Sequence, residues 1–152
     1  MAKVSMMFPH KLEIKLSKLP AKVDEISCEV LEAGGKVACK IVRDSLDSVV
    51  GTSIDSRSTG ELQASLGVSP PKLDRNGNFN IKVGFNEPRR KQYAARGKRS
   101  YNTITNAMIA NVIEHGKHGQ PARPFLARAK RKLEKPVREA MIAKFNEEVG
   151  KL

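Results

Sequence analysis

Hydrophobic residues near the N-terminus recur first at every second position and then at every third or fourth. Residues 11–17 alternate polar and apolar side chains, which predicts a half-buried strand that ends at Pro20. From Ala21 to about Val49 the spacing becomes helical and predicts a long amphipathic helix, with apolar positions at Val23, Ile26, Val30, Val37, Ile41 and Leu46. Gly34 and Gly35 lie in its middle and indicate either a weak point or the close approach of another backbone.

The middle of the chain is rich in turn residues and short alternating segments. Residues 59–62 are typical of a capped helical turn, and a strand is expected near residues 65–69. Asn76-Gly77 indicates a hairpin because both residues tolerate a positive φ. Residues 79–85 alternate again and predict a further strand.

Two helices are predicted in the last third of the chain. The first is capped by Asn102 and closed by Gly116. The second begins at Pro124 and should be kinked at Pro136, and its apolar stripe comprises Leu126, Ala129, Leu133, Val137, Met141, Phe145 and Val149. Together these elements predict a single α+β domain over residues 1–152. In it, a small, mainly antiparallel sheet of three to four strands packs against a long N-terminal helix and a C-terminal helix.

The charge of the chain is strongly positive and unevenly placed. The formal net charge is +12, of which residues 1–85 contribute +2 and residues 86–152 contribute +10. Such a field attracts polyanions, namely nucleic acid, an acidic protein surface or anionic lipid. A short apolar run at residues 6–8 ends at Pro9, so neither a signal peptide nor a membrane span is expected, and synthesis in the cytoplasm follows.

Basic residues are concentrated in two segments. Residues 86–101 contain Arg89, Arg90, Lys91, Arg96, Lys98 and Arg99. We interpret this segment as a mobile loop that orders on assembly, with direct nucleic-acid contact as the alternative. On the last helix, Arg128, Arg131, Lys135 and Arg138 follow three-and-four spacing. This basic stripe is a solvated face, a contact for an acidic partner or a contact for nucleic acid.

Candidate chemistry is sparse. The chain has no phosphate-binding glycine loop, no nucleophile elbow and no zinc-binding His-Glu-x-x-His motif. The pair Glu114-His115 at a helix end is typical of a cap or a surface contact. His115 and His118 fall short of the four ligands of a closed zinc site. We therefore expect no enzyme, no cofactor and no metal.

Two stretches of the chain are similar to a known family. The first is Ser58-Thr59-Gly60-Glu61-Leu62-Gln63-Ala64-Ser65, and the second runs from Ile113-Glu114-His115-Gly116 to Pro121-Ala122-Arg123-Pro124-Phe125-Leu126. In this order they resemble the tail-completion or head–tail joining proteins of long-tailed bacteriophages. The matching motif residues are Thr59, Gly60, Leu62, Ser65, Glu114, Gly116, Pro121, Ala122, Pro124 and Phe125. His115 replaces the family's aromatic residue, the basic 86–101 segment is longer than usual, and Pro136 is unexpected.

The resemblance implies a structural role at the head–tail junction or tail end of a phage or prophage. The implied location is the virion, after synthesis in the host cytoplasm. The implied partners are other neck or tail proteins, with non-specific contact to passing DNA. A basic nucleic-acid-binding module is the alternative, since it explains the charge equally well, although it does not explain the two ordered motifs.

The family also implies a homo-oligomeric ring, which needs two different complementary patches on each subunit. The basic stripe is our candidate for one patch. The other is the more acidic N-terminal helix, with Asp24, Glu25, Glu29 and Glu32. Because copies of a +12 chain repel each other, we expect the ring to be weak in isolation.

Overall fold

The computed structural model describes residues 10–51, 58–86 and 105–151. Four helices and four short strands follow one another as α1 (His10–Asp47), α2 (Glu61–Ser65), β1 (Leu66–Val68), β2 (Lys72–Leu73), β3 (Phe79–Asn80), β4 (Val83–Phe85), α3 (Asn106–His115) and α4 (Leu126–Gly150). The predicted α+β class is confirmed, with a long N-terminal helix, a C-terminal helix and small antiparallel sheets between them.

The N-terminal segment is helical, so the strand predicted over residues 11–17 is wrong. Helix α1 begins at His10 and continues through Pro20 to Asp47. A period of two and a period of 3.6 both fit so short a segment, because Leu12, Leu16 and Leu19 also recur at helical spacing. The helical period is the one that continues into the rest of α1.

The strands form two antiparallel pairs. β1 pairs with β4, which sets Leu66 opposite Phe85 and Gly67 opposite Gly84. β2 pairs with β3 through the predicted hairpin, whose turn is closed by Asp74 Oδ1 accepting the N–H groups of Asn76 and Asn78 at 2.8 Å each. The alternating segment 79–85 is therefore divided between β3 and β4 and belongs to two sheets.

Helices α1 and α4 lie antiparallel against each other, and two adjacent glycines of α1 allow close packing. A Cβ at Gly34 would lie 2.8 Å from Met141 Cγ on α4. A Cβ at Gly35 would lie 2.9 Å from both Val68 and Ile81 on the sheet side. The close approach predicted at these glycines is thus made by side chains rather than by another backbone.

An ion-pair network at the end of α4 reaches across to α1. Lys144 Nζ lies 2.6 Å from Glu148, 3.1 Å from Glu29 on α1 and 3.5 Å from Glu147. Hydrogen bonds from Lys144 and Lys151 lower the pKa of Glu148 to about 2. The network connects the N-terminal half of α1 to the last turns of α4.

The core lies where the C-terminal half of α1 meets the other elements. Its buried members are Val42, Leu46, Val49, Leu62, Leu66, Ala110, Ile113, Phe125 and Ala129. Phe125 and Leu46 are fully buried, and the Phe125 ring meets Phe85 edge to face at 6.2 Å between centroids. Burial of this kind contributes roughly 1.5–3 kcal/mol for each large side chain.

The ends of the last two helices differ in part from prediction. Thr105, not Asn102, caps α3 by accepting the Met108 N–H at 3.1 Å, while Asn102 lies outside the described residues. Gly116 closes α3 as predicted, with φ at +77°. Helix α4 begins at Leu126, so Pro124 precedes the helix instead of occupying its first position.

Candidate functional site

The two motifs quoted above, about fifty residues apart in sequence, meet in one corner of the fold. We call residues 58–65 and 113–126 together the motif corner. Leu62 from the first motif and Phe125 from the second belong to the same buried cluster. Thr59, Gly60, Ile113 and Arg123 line a cavity of about 240 Å³ between the motifs. The resemblance therefore rests on residues that are neighbours in space.

Glu114 links α3 to the start of α4. Its Oε2 accepts the backbone N–H groups of Phe125 and Leu126 at 2.8 Å each, and its Oε1 accepts that of Ala127 at 3.0 Å. Phe125, the residue before the helix, has no side-chain acceptor of its own. Glu114 thus satisfies the N–H groups that the first turn of a helix leaves unpaired.

The charge on Glu114 is stabilised by this arrangement. Partial burial raises the pKa of the carboxyl group, but the three backbone donors outweigh it and leave the pKa below its ordinary value. The positive end of the α4 dipole favours the same charged form. Of the two readings of Glu114-His115, the structure supports the cap, although the helix that Glu114 caps is α4. His115 itself is exposed.

The connection between α3 and α4 is held by Gly116 and Arg123. A Cβ at Gly116 would lie 2.8 Å from both Ala122 N and Gln120 O, so no other residue fits there without a backbone shift. The backbone N–H of Arg123 donates to Ile113 O at 2.8 Å, and its guanidinium donates to Val49 O at 3.1 Å. Sequence reasoning missed this role of Arg123, whose only signal was its place inside the second motif.

The remaining motif residues shape local backbone. Gly60 has a φ of +73° and precedes α2, while Ser65 Oγ donates to Leu62 O at 2.8 Å at its end. Thr59 is exposed, and its hydroxyl donates to Glu61 Oε2 at 3.4 Å. Pro121 and Ala122 are exposed, and Pro124 is half-buried. These contacts favour a structural role for the motif residues.

The basic stripe lies on the exposed side of α4. Arg128, Arg131, Lys135 and Arg138 are all exposed. Arg138 pairs with Glu134 at 2.5 Å and Lys135 with Glu139 at 4.0 Å, both within the helix. Arg128 and Arg131 form no ion pair within residues 10–51, 58–86 and 105–151. Exposed pairs of this kind contribute at most about 1 kcal/mol, so the stripe is open to a partner.

The other predicted contact residues are not placed by the structure. Arg89, Arg90, Lys91, Arg96, Lys98 and Arg99 lie outside the described residues. The interpretation of residues 86–101 as a mobile basic loop therefore stays a prediction, as does the assignment of residues 1–152 to a single domain.

No group of three or more His, Cys, Asp or Glu side chains in the described part of the chain is placed to hold a metal ion. His118, like His115, is exposed. None of the described helices combines the length and apolar character of a membrane span.

No family model, curated protein or solved structure matches this chain.

Proposed function

We propose that this protein is a structural component of the head–tail junction or tail end of a long-tailed bacteriophage or prophage. The observation that carries the proposal is the meeting of the two family-like motifs, since Leu62 of the first and Phe125 of the second belong to one buried cluster and residues of both motifs line one cavity. A chance occurrence of two short motifs gives no reason for them to pack together. Their meeting in one corner supports the resemblance.

The chemistry of the motif corner agrees with a structural role. The Glu114 carboxylate is occupied by three backbone donors, so it is not poised to exchange a proton with a substrate. The motif residues shape turns and fill the core, and α4 presents a row of exposed basic residues. A protein whose motif residues determine its fold, and whose exposed helix is charged, is suited to assembly with other macromolecules.

In this proposal the protein assembles during virion morphogenesis as a homo-oligomeric ring, flanked by other neck or tail proteins. A closed ring uses two different patches on each subunit, and the basic stripe is one candidate. Electrostatic repulsion between copies keeps the ring weak until neighbouring proteins or high concentration favour it.

The test is a gene deletion in the strain that carries this sequence, followed by phage induction and electron microscopy. We expect unjoined heads and tails in the deletion and joined particles after complementation, with the protein detected in them by mass spectrometry. The double variant Arg131→Glu, Lys135→Glu should fold but fail to complement. Its matched control is Arg75→Glu, Lys117→Glu, which reverses two exposed charges away from α4. Joined particles at normal levels in the deletion would reject the proposal.

A nucleic-acid-binding module is the second candidate, and the exposed cations on α4 favour it. Lys130 and Lys132 are exposed as well, which makes six exposed basic residues between Arg128 and Arg138. If this is the function, the isolated monomer should bind duplex DNA with an affinity that falls steeply with salt, by about 10³-fold or more between 50 and 200 mM for six contacts. Weak binding with a shallow salt dependence would favour the assembly role.

A further inference from the structure

Beyond Arg138, the helix face that carries the basic stripe of α4 becomes apolar. Ile142, Phe145 and Val149 follow Arg138 at the same three-and-four spacing, so one face of the helix is basic in its first half and apolar in its second. Ile142 is 52% exposed and Phe145 is 45% exposed. We call this face the mixed stripe, and it comprises Arg128, Arg131, Lys135, Arg138, Ile142, Phe145 and Val149.

The mixed stripe lies beside the face by which α4 packs on α1. That packing face uses Val137 and Met141 against Gly34. Arg138 and Ile142 line an open groove with Ala38 of α1, and Arg128 lines a cavity with Asp44, so the stripe borders α1 along one edge. The mixed stripe exposes large apolar side chains to water next to a row of cations. Covering such a surface with a partner is favourable, because it removes apolar area from water.

The matching surface within this chain is the acidic outer face of α1. Glu25 and Glu32 are exposed and form no ion pair with the residues that the structure describes. Glu29, predicted to belong to the same patch, instead pairs with Lys144 of its own chain at 3.1 Å. Asp24 is exposed but is turned by about 100° from Glu25, so the acidic residues that share one face and remain for a partner are Glu25 and Glu32.

The charged residues have the same spacing along the two helices. Seven residues separate Glu25 from Glu32, and seven separate Arg131 from Arg138, which is about 10.5 Å along either helix. If the helices lie antiparallel, Glu25 meets Arg138 while Glu32 meets Arg131.

We propose that the mixed stripe of α4 binds the acidic face of α1 from a second copy of this chain, in the antiparallel register just described. This inference rests on the proposed function and deepens it by naming the contact between subunits. The two surfaces lie on different helices, so each subunit offers one surface to each neighbour and the contact is head-to-tail. Charge complementarity favours a second copy, because each contact between Glu and Arg offsets part of the repulsion between two +12 chains.

The test uses charge reversal with rescue in the purified protein. The α4 variant carries Arg131→Glu and Arg138→Glu, and the α1 variant carries Glu25→Arg and Glu32→Arg. Each variant alone sets like charges against each other and should associate at least about tenfold more weakly than wild type. An equimolar mixture restores both contacts, since the acidic α1 face of one variant meets the native stripe of the other. Sedimentation velocity over a concentration series measures association, and circular dichroism checks the fold.

The control is Arg75→Glu with Lys117→Glu, which changes net charge as the α4 variant does and should associate like wild type. Ile142→Ser should also weaken association without changing the fold. The inference is overturned if wild type stays monomeric at every concentration, if either reversal leaves association unchanged, or if the mixture fails to restore it. If the mixed variants associate in solution but the gene deletion still yields normal particles, the contact between copies is supported and the phage role is rejected.

Discussion

Glu114 and Phe125 are joined by a 2.8 Å hydrogen bond from the Phe125 backbone N–H to Glu114 Oε2, although they lie on different elements eleven residues apart. The bond places a carboxylate at the start of α4 and a fully buried ring directly before that helix. The hydrogen bond thus sets the direction in which α4 leaves the core, and the Phe125 ring anchors the start of that helix.

Removing the Glu114 carboxylate should destabilise the protein. Glu114→Ala leaves three N–H groups of α4 without their acceptor, and we expect a loss of about 1–2 kcal/mol in the free energy of unfolding. Urea denaturation measures it. Glu139→Ala on the exposed side of α4 is the control and should cost less than about 0.5 kcal/mol. Equal effects of the two substitutions would contradict the capping role.

The contribution of the Glu114 charge should depend on pH. Because the folded-state pKa lies below the unfolded one, the charge stabilises the protein above the unfolded pKa, about 4.3. This stability is lost as pH falls through the folded pKa. Wild type and Glu114→Gln, which keeps an acceptor oxygen but no charge, should therefore differ at pH 7, and the difference should shrink as pH falls below the unfolded pKa. A difference that stays constant from pH 7 to pH 3 would refute the assignment.

Among the aromatic residues that the structure describes, Phe125 should cause the largest loss in the free energy of unfolding when it is replaced by alanine. It is fully buried and contacts Phe85 edge to face, so Phe125→Ala should lower the free energy of unfolding by about 3–5 kcal/mol. Phe145→Ala, at a ring that is 45% exposed, should cost much less. Thermal and urea unfolding of both variants measure this, and a Phe125→Ala cost under about 1 kcal/mol would place the ring outside the core.

Gly35 should resist substitution although it lies in a helix. Alanine there gains up to about 1 kcal/mol in helix propensity, but its Cβ would lie 2.9 Å from Val68 Cγ1, on a side chain with little rotamer freedom. We expect a net loss of about 1–3 kcal/mol for Gly35→Ala, relieved in part by Val68→Ala in the same chain. Gly84→Ala is the control, since a Cβ there meets nothing within 4 Å. Strict additivity of the Gly35 and Val68 substitutions would exclude the contact.

Much of the fold was predictable because the long helices, the Asn-Gly hairpin and Gly116 have strong local signals. Phe125 adjoins the predicted apolar stripe of α4, and it is fully buried in the core. The segment at residues 11–17 was misread because its apolar residues fit both a period of two and the helical period. Strand pairing depends on distant residues, which no short window contains.

The site was less predictable than the fold. Glu114 was expected to be a cap or a surface contact, yet the helix it caps lies beyond a loop, and only the tertiary structure brings them together. Arg123 bonds a carbonyl 74 residues away, a contact without any periodic signal. Glu29 was counted with the acidic patch because spacing alone cannot show that Lys144 approaches from α4.

The antiparallel pair of α1 and α4 joins two segments that are synthesised far apart in time. About 100 residues separate Asp47 from Gly150, so a ribosome adding roughly 5–20 residues per second completes α4 some 5–20 s after α1. During that interval the Gly34 face of α1 has no Met141 or Val137 to cover it. Packing between α1 and α4 is therefore a late step for a nascent chain, because it has to wait until the 25-residue helix α4 leaves the ribosome.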